Sequence, residues 1–336
     1  MFDNVFGMDV PQSQLHLETS APILRGFMEG YNCSIMAYGQ TGSGKTFTMG
    51  ASDPTSSSVS SNSNQSGLMI RSVMDLFDKL NSSIDAGDTI SYQVKVSYLE
   101  VYGEDIHDLL DESSASIHSR VPLPIREDKG GKFFVQGLSY AIVESAESTL
   151  KILANGTKHR KTVATAMNAS SSRSHAVFTI YLEQRVRVET DIPSNKRPFK
   201  NLPSSTTGIM SEQVVSSKLT FVDLAGSESN TRADNKGQRL VEGIQINLGL
   251  FNLGRVISEL AAMDDNKRGT PVKGGSGGGQ HCCQFRNSKL TLLLKDALGG
   301  NSQTLFIACV SPAESNESET LSTLMVRTVE VTWQQT

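Results

Sequence analysis

Residues 39–46 read GQTGSGKT, which fits the spacing G-x4-G-K-[ST]. Each residue type in that spacing has a chemical task. Glycines let backbone N–H groups converge on phosphate oxygens, Lys45 places a cation near the β and γ phosphates, and Thr46 offers a hydroxyl to Mg2+. Gly39, Gln40, Thr41, Gly42, Ser43, Gly44, Lys45 and Thr46 are therefore the candidate contacts to a nucleoside triphosphate and its metal.

A phosphate loop needs a second acidic group for the metal and something that senses the γ phosphate. VDLAGSE supplies both at the end of an apolar run: Asp223 can hold Mg2+ through water, and the Gly226 N–H can reach the γ phosphate. Alone, Asp-x-x-Gly after a strand is more often an ordinary turn; behind a phosphate loop in the same chain the switch reading takes precedence. A third segment, MNASSSRSHAVF from Met167, reads most simply as a polar linker. Yet its Asn, its serine cluster, an Arg and a His also offer hydroxyls for a metal-bound water, and Arg173 is a cation that can pair with Glu228 and so join two loops.

These groups need a strand-loop-helix setting, and the flanking sequence provides one. A short apolar run, Ser34 to Ala37, enters the glycine loop, and Lys45 to Met49 reads as a helix start. RSVMDLFDKL carries Val73, Met74, Leu76, Phe77 and Leu80 at helical spacing. Tyr92 to Gly103 alternates as a strand does, and EDIHDLL after it reads as a turn of helix. FFVQGLSY, HAVFTIYLEQRV from His175, KLTFVDLAG from Lys218 and TLFIACVSP are further strands, and NSKLTLLLKDALGG reads as one helix. Strands interleaved with helices and no internal repeat argue for a single α/β domain over 1–336. Flexible insertions are expected near 51–66, 189–211 and 264–283, where Ser, Asn, Pro and Gly accumulate.

Composition narrows the class. At 336 residues and 38% hydrophobic the chain can bury a real core, and its formal charge of -4 gives no support for a globally basic nucleic-acid binder. No apolar run approaches the roughly 18 residues of a membrane span, and MFDNVFGMDV has no leader pattern. Cys33, Cys282, Cys283 and Cys309 form no CxxC pair, so a reducing cytosolic or nuclear setting is expected, with no metal site at His281, Cys282 and Cys283.

Taken together, AYGQTGSGKTFTMG, Asn168 to His175 and Asp223 to Glu228 resemble the three nucleotide motifs of the kinesin motor domain. GYN at Gly30 to Asn32, SYLEVYGEDIHDLL, GQRLVEGIQIN, SKLTLLLKDALGG and IACVSPAESNESETLSTL follow in kinesin order across nearly the whole chain, and INLGLFNLGRVIS looks nearest the chromokinesin-like branch. The resemblance implies a P-loop NTPase fold, a mixed central β-sheet with helices on both faces, and Mg-ATP hydrolysis coupled to microtubule binding in the cytoplasm, on the cytoskeleton, or at the nucleus or spindle. By position it implies that Ser171 and Ser172 serve the metal water and the γ phosphate, that Asn168, Ser174 and His175 complete the first switch, and that Glu228 with Arg173 positions the attacking water. A helix over about Leu240 to Leu260 would report nucleotide state to the track. No Asn-Lys-x-Asp guanine-reading motif is present, so a signalling GTPase fits poorly.

The chain also departs from the family pattern. It opens inside the first conserved block, so the preceding strand and its adenine-contacting Arg-Pro segment are not in the sequence, and His16 stands where an aromatic is usual, as a candidate to stack on the base. Ser229, Leu248 and Leu292 replace residues usually basic on the track side. Arg286, Lys289 and Lys295 remain, with Lys267, Arg268 and Lys273 before them; Lys273, Arg286, Lys289 and Lys295 are the candidate microtubule contacts. On a continuous helix Leu292 is expected to face solvent. After ETLSTL the sequence reads MVRTVEVTWQQT where the family has a basic helix and neck linker, so a fragment or imperfect gene model is expected, and oligomerisation would need segments outside it. The alternative function is a non-motile microtubule- or partner-binding module with the same fold.

Overall fold

The computed structural model of the chain describes residues 2–50, 66–111, 121–166, 171–190, 209–228, 238–268, 284–299 and 302–326. The strands are β1 (Asn32–Tyr38), β2 (Thr89–Tyr102), β3 (Asp105–Asp108), β4 (Ile125–Glu127), β5 (Phe133–Val135), β6 (Ala141–Val143), β7 (His175–Thr190), β8 (Ile209–Asp223) and β9 (Ser302–Ala308). The helices are α1 (Gln12–Leu15), α2 (Ala21–Met28), α3 (Lys45–Met49), α4 (Leu68–Asp85), α5 (Ala146–Ala166), α6 (Gln238–Arg268), α7 (Lys289–Leu293), α8 (Lys295–Gly299) and α9 (Glu317–Met325).

The main sheet runs β3-β2-β7-β8-β1-β9, with β6 added to β2, while β4 and β5 form a separate ribbon. It is mixed: β1 lies parallel to both β8 and β9, and β7 is antiparallel to β8 and β2. Strand β1 is buried on both faces, as a parallel strand must be when helices cover both sides. Its Cys33, Ile35 and Ala37 enter one core with Leu76, Phe77 and Leu80 of α4 and Leu150 and Leu153 of α5. Met36 and Tyr38 enter the other with Leu250, Leu253 and Val256 of α6 and Leu290 of α7. Each fully buried side chain of this size contributes roughly 1.5–3 kcal/mol. Tyr98 and Phe178 meet edge to face on the first side, 5.5 Å apart. Among the described residues no helix is long and apolar enough to cross a membrane.

Several local readings change. EDIHDLL is not a helical turn: Asp105–Asp108 pairs antiparallel with β2, Tyr102 opposite Asp105, across a two-residue turn beginning with Gly103. The open edge of a long strand outcompetes a four-residue helix, which would gain almost no internal hydrogen bonds. FFVQGLSY is extended only over Phe133–Val135. The supposed insertions are shorter at their edges, since Thr190 pairs with Ile209 and α6 continues to Arg268; 51–65, 191–208 and 269–283 lie outside the described residues. NSKLTLLLKDALGG is two short helices broken at Leu294, whose φ and ψ are -91° and 4°.

Candidate functional site

Register puts the chemistry at one end of the sheet. Ala37 of β1 and Ala176 of β7 both lie opposite Asp223 of β8, so the loop after β1, the start of β7 and the loop after β8 converge. The loop after β1 bends through Gly39, Gly42 and Gly44, all with positive φ. A side chain at Gly39 would overlap the Cys309 carbonyl, so the loop closes on the end of β9 only with glycine there. Inside the loop the buried Lys45 donates to the carbonyls of Gly39 and Gln40, 2.7 Å each. Burial lowers its pKa, opposed by the fields of Asp223 and Glu228. A partly desolvated cation in a nest of backbone amides is an anion site.

The loop after β8 is fastened to this cradle at four points. Ser227 N–H donates to the Gly39 carbonyl at 3.1 Å, and Leu224 N–H to that of Ala37 at 3.3 Å. Glu228 spans the gap: Oε2 accepts from the Thr41 N–H at 2.7 Å and Oε1 from the Thr41 hydroxyl at 2.5 Å. Gly226 N–H donates to the Ser172 carbonyl at 2.8 Å, which joins the loop after β8 to the 3-10 turn Ser171–Arg173. Asn247 of α6 then donates to the Glu228 carbonyl at 3.2 Å.

Thr46 and Asp223 meet as expected, the hydroxyl donating to Oδ2 at 3.0 Å. Asp223 is buried, and its Oδ1 has no hydrogen-bond partner among the described residues. Such an orphaned anionic oxygen beside a hydroxyl fits a Mg2+ held by Thr46 directly and by Asp223 through water.

His175 opens β7 and is fully buried, with Nδ1 accepting from the Ala225 N–H at 3.0 Å. That bond puts the neutral ring's proton on Nε2. Burial, and then the cations Arg160 and Lys45, push its pKa down to about 3. The sign follows: between pH 6.5 and about 3 the unfolded chain takes up a proton that the folded chain refuses. Stability is expected to fall by about 1.4 kcal/mol per pH unit on the acid side of 6.5. Urea midpoints of the parent and His175→Asn across that range check this, with the shallower acid limb expected in the variant.

One central residue escapes motif reading. Arg160 of α5 is 5% exposed and reaches Asp223 Oδ2 at 3.4 Å, Glu100 Oε1 at 3.5 Å, the Ser174 hydroxyl at 3.2 Å and the Ser174 carbonyl at 2.8 Å. Burial disfavours its charge, but Tyr98, Asp223 and Glu100 outweigh it and hold the pKa above the ordinary value. The available signal was periodicity: Leu150, Leu153, Ala154 and Thr157 mark a buried helical stripe, and Arg160 continues it. An arginine on such a stripe must be paired.

Other expected residues scatter. Asn168 and Lys273 lie outside the described residues, and Ser171 is described only as backbone. Arg173 closes the 3-10 turn and Ser174 is held by Arg160. His16 sits in a π-helical turn, 2.7 Å from the Ser20 hydroxyl and 3.6 Å from Asp75, its pKa lowered mainly by burial. It does not line the cavity of about 1200 Å3 beside the phosphate loop; Gln12, Ser43, Gly44, Phe47 and Thr48 do. Phe47, 52% exposed, is an aromatic that motif reading passed over.

Arg286 pairs with Glu127 at 2.8 Å, and Arg286 and Lys295 lie 5.8 and 4.8 Å from the Phe133 ring centre. The Lys289 backbone N–H donates to Glu104 at 3.0 Å. Leu292 is half-buried rather than solvent-facing, because the break at Leu294 ends the continuous helix on which its outward direction depended. On α6, Leu248 and Phe251 are exposed at 51% and 66%.

The family described as kinesin motor domain matches residues 1–326. The chain is 37% identical to "Kinesin-like protein KIN-4A" of Arabidopsis thaliana over 96% of its own length and 30% of that protein. It is 41% identical to "Chromosome-associated kinesin KIF4B" of Homo sapiens, over 96% of its length and 22% of that protein. The chain thus spans under a third of the length of these relatives. Among solved structures, "a fast kinesin" shares 33% identity with a TM-score of 0.75, covering 97% of this chain and 77% of that one. A KIF14 dimer solved with AMP-PNP in complex with a microtubule shares 37% identity at the same TM-score, covering 97% and 78%.

Proposed function

The chain belongs to the kinesin motor domain family, and from that premise we propose that it binds Mg-ATP at Gly39–Thr46, hydrolyses it, and couples the hydrolysis to a microtubule. One observation carries the reading: Glu228 contacts Thr41, Gly226 contacts Ser172, and Thr46 contacts Asp223, so the phosphate loop and both switch segments form one hydrogen-bonded unit. A group that senses the γ phosphate at any member of this unit moves the others.

Lys45 and the loop amides hold the β and γ phosphates. Thr46, and Asp223 through water, would hold Mg2+, which when bound would supply neutralising charge at the phosphates. Ser171 and Ser172 serve the metal water and the γ phosphate, and the Gly226 N–H, held in this arrangement by the Ser172 carbonyl, would have to leave it to serve the γ phosphate. Glu228 keeps an acceptor lone pair on each oxygen beyond its Thr41 contacts, which suits pairing with Arg173 and orientation of the attacking water. Asn247 carries a shift of Glu228 into α6, the helix that reports to the track. On the track side the proposed contacts are Lys273, Arg286, Lys289 and Lys295.

A second reading, a non-motile microtubule- or partner-binding module, is favoured by the exposed apolar Leu248 and Phe251 on α6 and by the pairing of Arg286 with Glu127 and of Arg255 with Glu259. ATP turnover with and without polymerised microtubules separates the two. Strong stimulation supports the motor, basal turnover without stimulation means a broken track interface, and no turnover at all supports the module. Lys45→Ala is expected to lose on the order of 10²-fold or more in turnover; turnover equal to the parent's would overturn the site.

A further inference from the structure

One edge of the main sheet has no partner strand. Strand β9 ends the strand order and, among the described residues, pairs only with β1. Cys309 N–H donates to the Tyr38 carbonyl at 2.8 Å, and direction alternates along a strand, so Gln303, Leu305 and Ile307 also turn their backbone groups toward β1. Thr304, Phe306 and Ala308 turn theirs the other way, where no strand lies among the described residues. Natural sheets blunt such an edge with a lysine, a proline, a bulge or a cover. TLFIA at 304–308 carries no charge and no proline, and every residue from Gln303 to Ala308 is half-buried. An edge of this composition calls for a cover.

The space for that cover runs along the edge. The cavity of about 1200 Å3 beside the phosphate loop is walled by Gln303–Ala308 of β9, with Ile257 and Leu260 of α6, Leu298 of α8 and, past β9 in the chain, Leu324 and Val326. It exceeds the roughly 300–1,000 Å3 of a small-ligand pocket. Val326 is the last described residue, so the chain leaves the described structure from inside this cleft. The sequence goes on as RTVEVTWQQT. Thr328–Trp333 alternates Thr-Val-Glu-Val-Thr-Trp, the β-branched and aromatic period of two that marks a strand with one apolar face. At roughly 3.3 Å per residue those ten residues reach about 33 Å, and the seven of β9 need about 23 Å.

We propose that β9 is a strand-accepting edge and that Thr328–Trp333 of the same chain adds to it, with Val329, Val331 and Trp333 against Ile257, Leu260 and Leu298, and Thr328, Glu330 and Thr332 toward solvent. Hydrogen bonds from the amides of Thr304, Phe306 and Ala308 supply affinity, and the alternation supplies register. Tethering decides between this occupant and a second copy of the chain. A segment that starts in the cleft meets the edge at an effective concentration on the order of millimolar, far above that of another molecule. The addition straps α9 to the sheet and denies the edge to other strands.

The test is residue-resolved hydrogen exchange of the full chain beside a double variant, Glu330→Pro with Val331→Pro. Adjacent positions are changed because one of the two directs its N–H at β9 in any register, and proline removes that donor. The amides of Thr304, Phe306 and Ala308 are expected to exchange about tenfold or more faster in the variant, equivalent to ~1.4 kcal/mol for a hydrogen bond. Those of Leu305, Ile307 and Cys309, which face β1, are expected to stay unchanged. Trp333 is the one tryptophan of the chain, so its emission reads the same event and is expected to move to the red in the variant. Parent emission equal to that of the free peptide RTVEVTWQQT overturns the proposal. So does equal exchange at the three amides in parent and variant, whether fast, with the edge bare, or slow, with another segment on it. A parent that sediments as a dimer, with the three amides protected only in the dimer, gives the edge to a second copy and overturns it as well.

Discussion

Gly226→Ala is expected to cut ATP turnover on the order of 10²- to 10³-fold while leaving nucleotide affinity within about threefold. A Cβ at Gly226 would overlap both Glu228 carboxylate oxygens and the Thr41 hydroxyl. Those are the atoms that fasten the loop after β8 to the phosphate loop, so the methyl group drives Glu228 off Thr41 and pulls the 226 amide from the Ser172 carbonyl. Lys45 and Thr46 sit on the other side of the cradle and keep their contacts, which is why binding survives. The rate loss is of the size seen when one oriented donor leaves a transition-state site. Single-turnover hydrolysis beside nucleotide titration checks the split; equal losses in both would mean that the loop after β8 holds the ground state too.

Arg160→Met is expected to destabilise the fold by about 3–5 kcal/mol, the range for removing one partner of a buried ion pair. Glu100 and Asp223 would be left with negative charge in a space with almost no water access, and the Ser174 carbonyl would lose its 2.8 Å donor. Methionine nearly fills the vacated volume, so the loss is electrostatic rather than a cavity. Adding Glu100→Gln to Arg160→Met is expected to recover part of the stability, since one unpaired carboxylate is neutralised. Urea unfolding of the four chains of this double-mutant cycle measures the coupling. Additive losses would show that Glu100 and Arg160 do not interact energetically.

The contrast between these two positions shows what the sequence could reveal. Gly226 sits in a motif whose spacing is set by local geometry, because a strand, a turn and an amide aimed at a phosphate are adjacent in the chain. The same holds for Lys45, Thr46 and Asp223, and the mixed sheet with helices on both faces was legible from the same motifs and family order. Arg160 lies 63 residues from Asp223 in sequence, and its role exists only once α5 packs against β2 and the 3-10 turn before β7. Phe47 escaped although it directly follows the phosphate loop, because only the folded chain shows it exposed at the wall of the cavity. The short elements failed in another way: Asp105–Asp108 took the edge of β2, and Leu294 broke a helix that periodicity alone extended through it. Local propensity is weak over four or five residues, and tertiary partners decide.

The strand order has a consequence for how the molecule comes to exist. Residue 37 meets residue 223 by lying on neighbouring parallel strands, and residue 308 lies alongside residue 38 on the other side. No stretch of chain shorter than some 270 residues, 37 to 308, can close that arrangement, so loop-closure entropy must be met before the phosphate loop has its floor. The site is therefore a late product of folding rather than a seed for it, and any ligand it holds reports on completed molecules only. At 100 times its dissociation constant such a ligand adds about 2.7 kcal/mol to the native state. In a cell, the nucleotide pool would then act as an inspector of assembly, protecting chains whose sheet has closed and leaving the others to proteolysis.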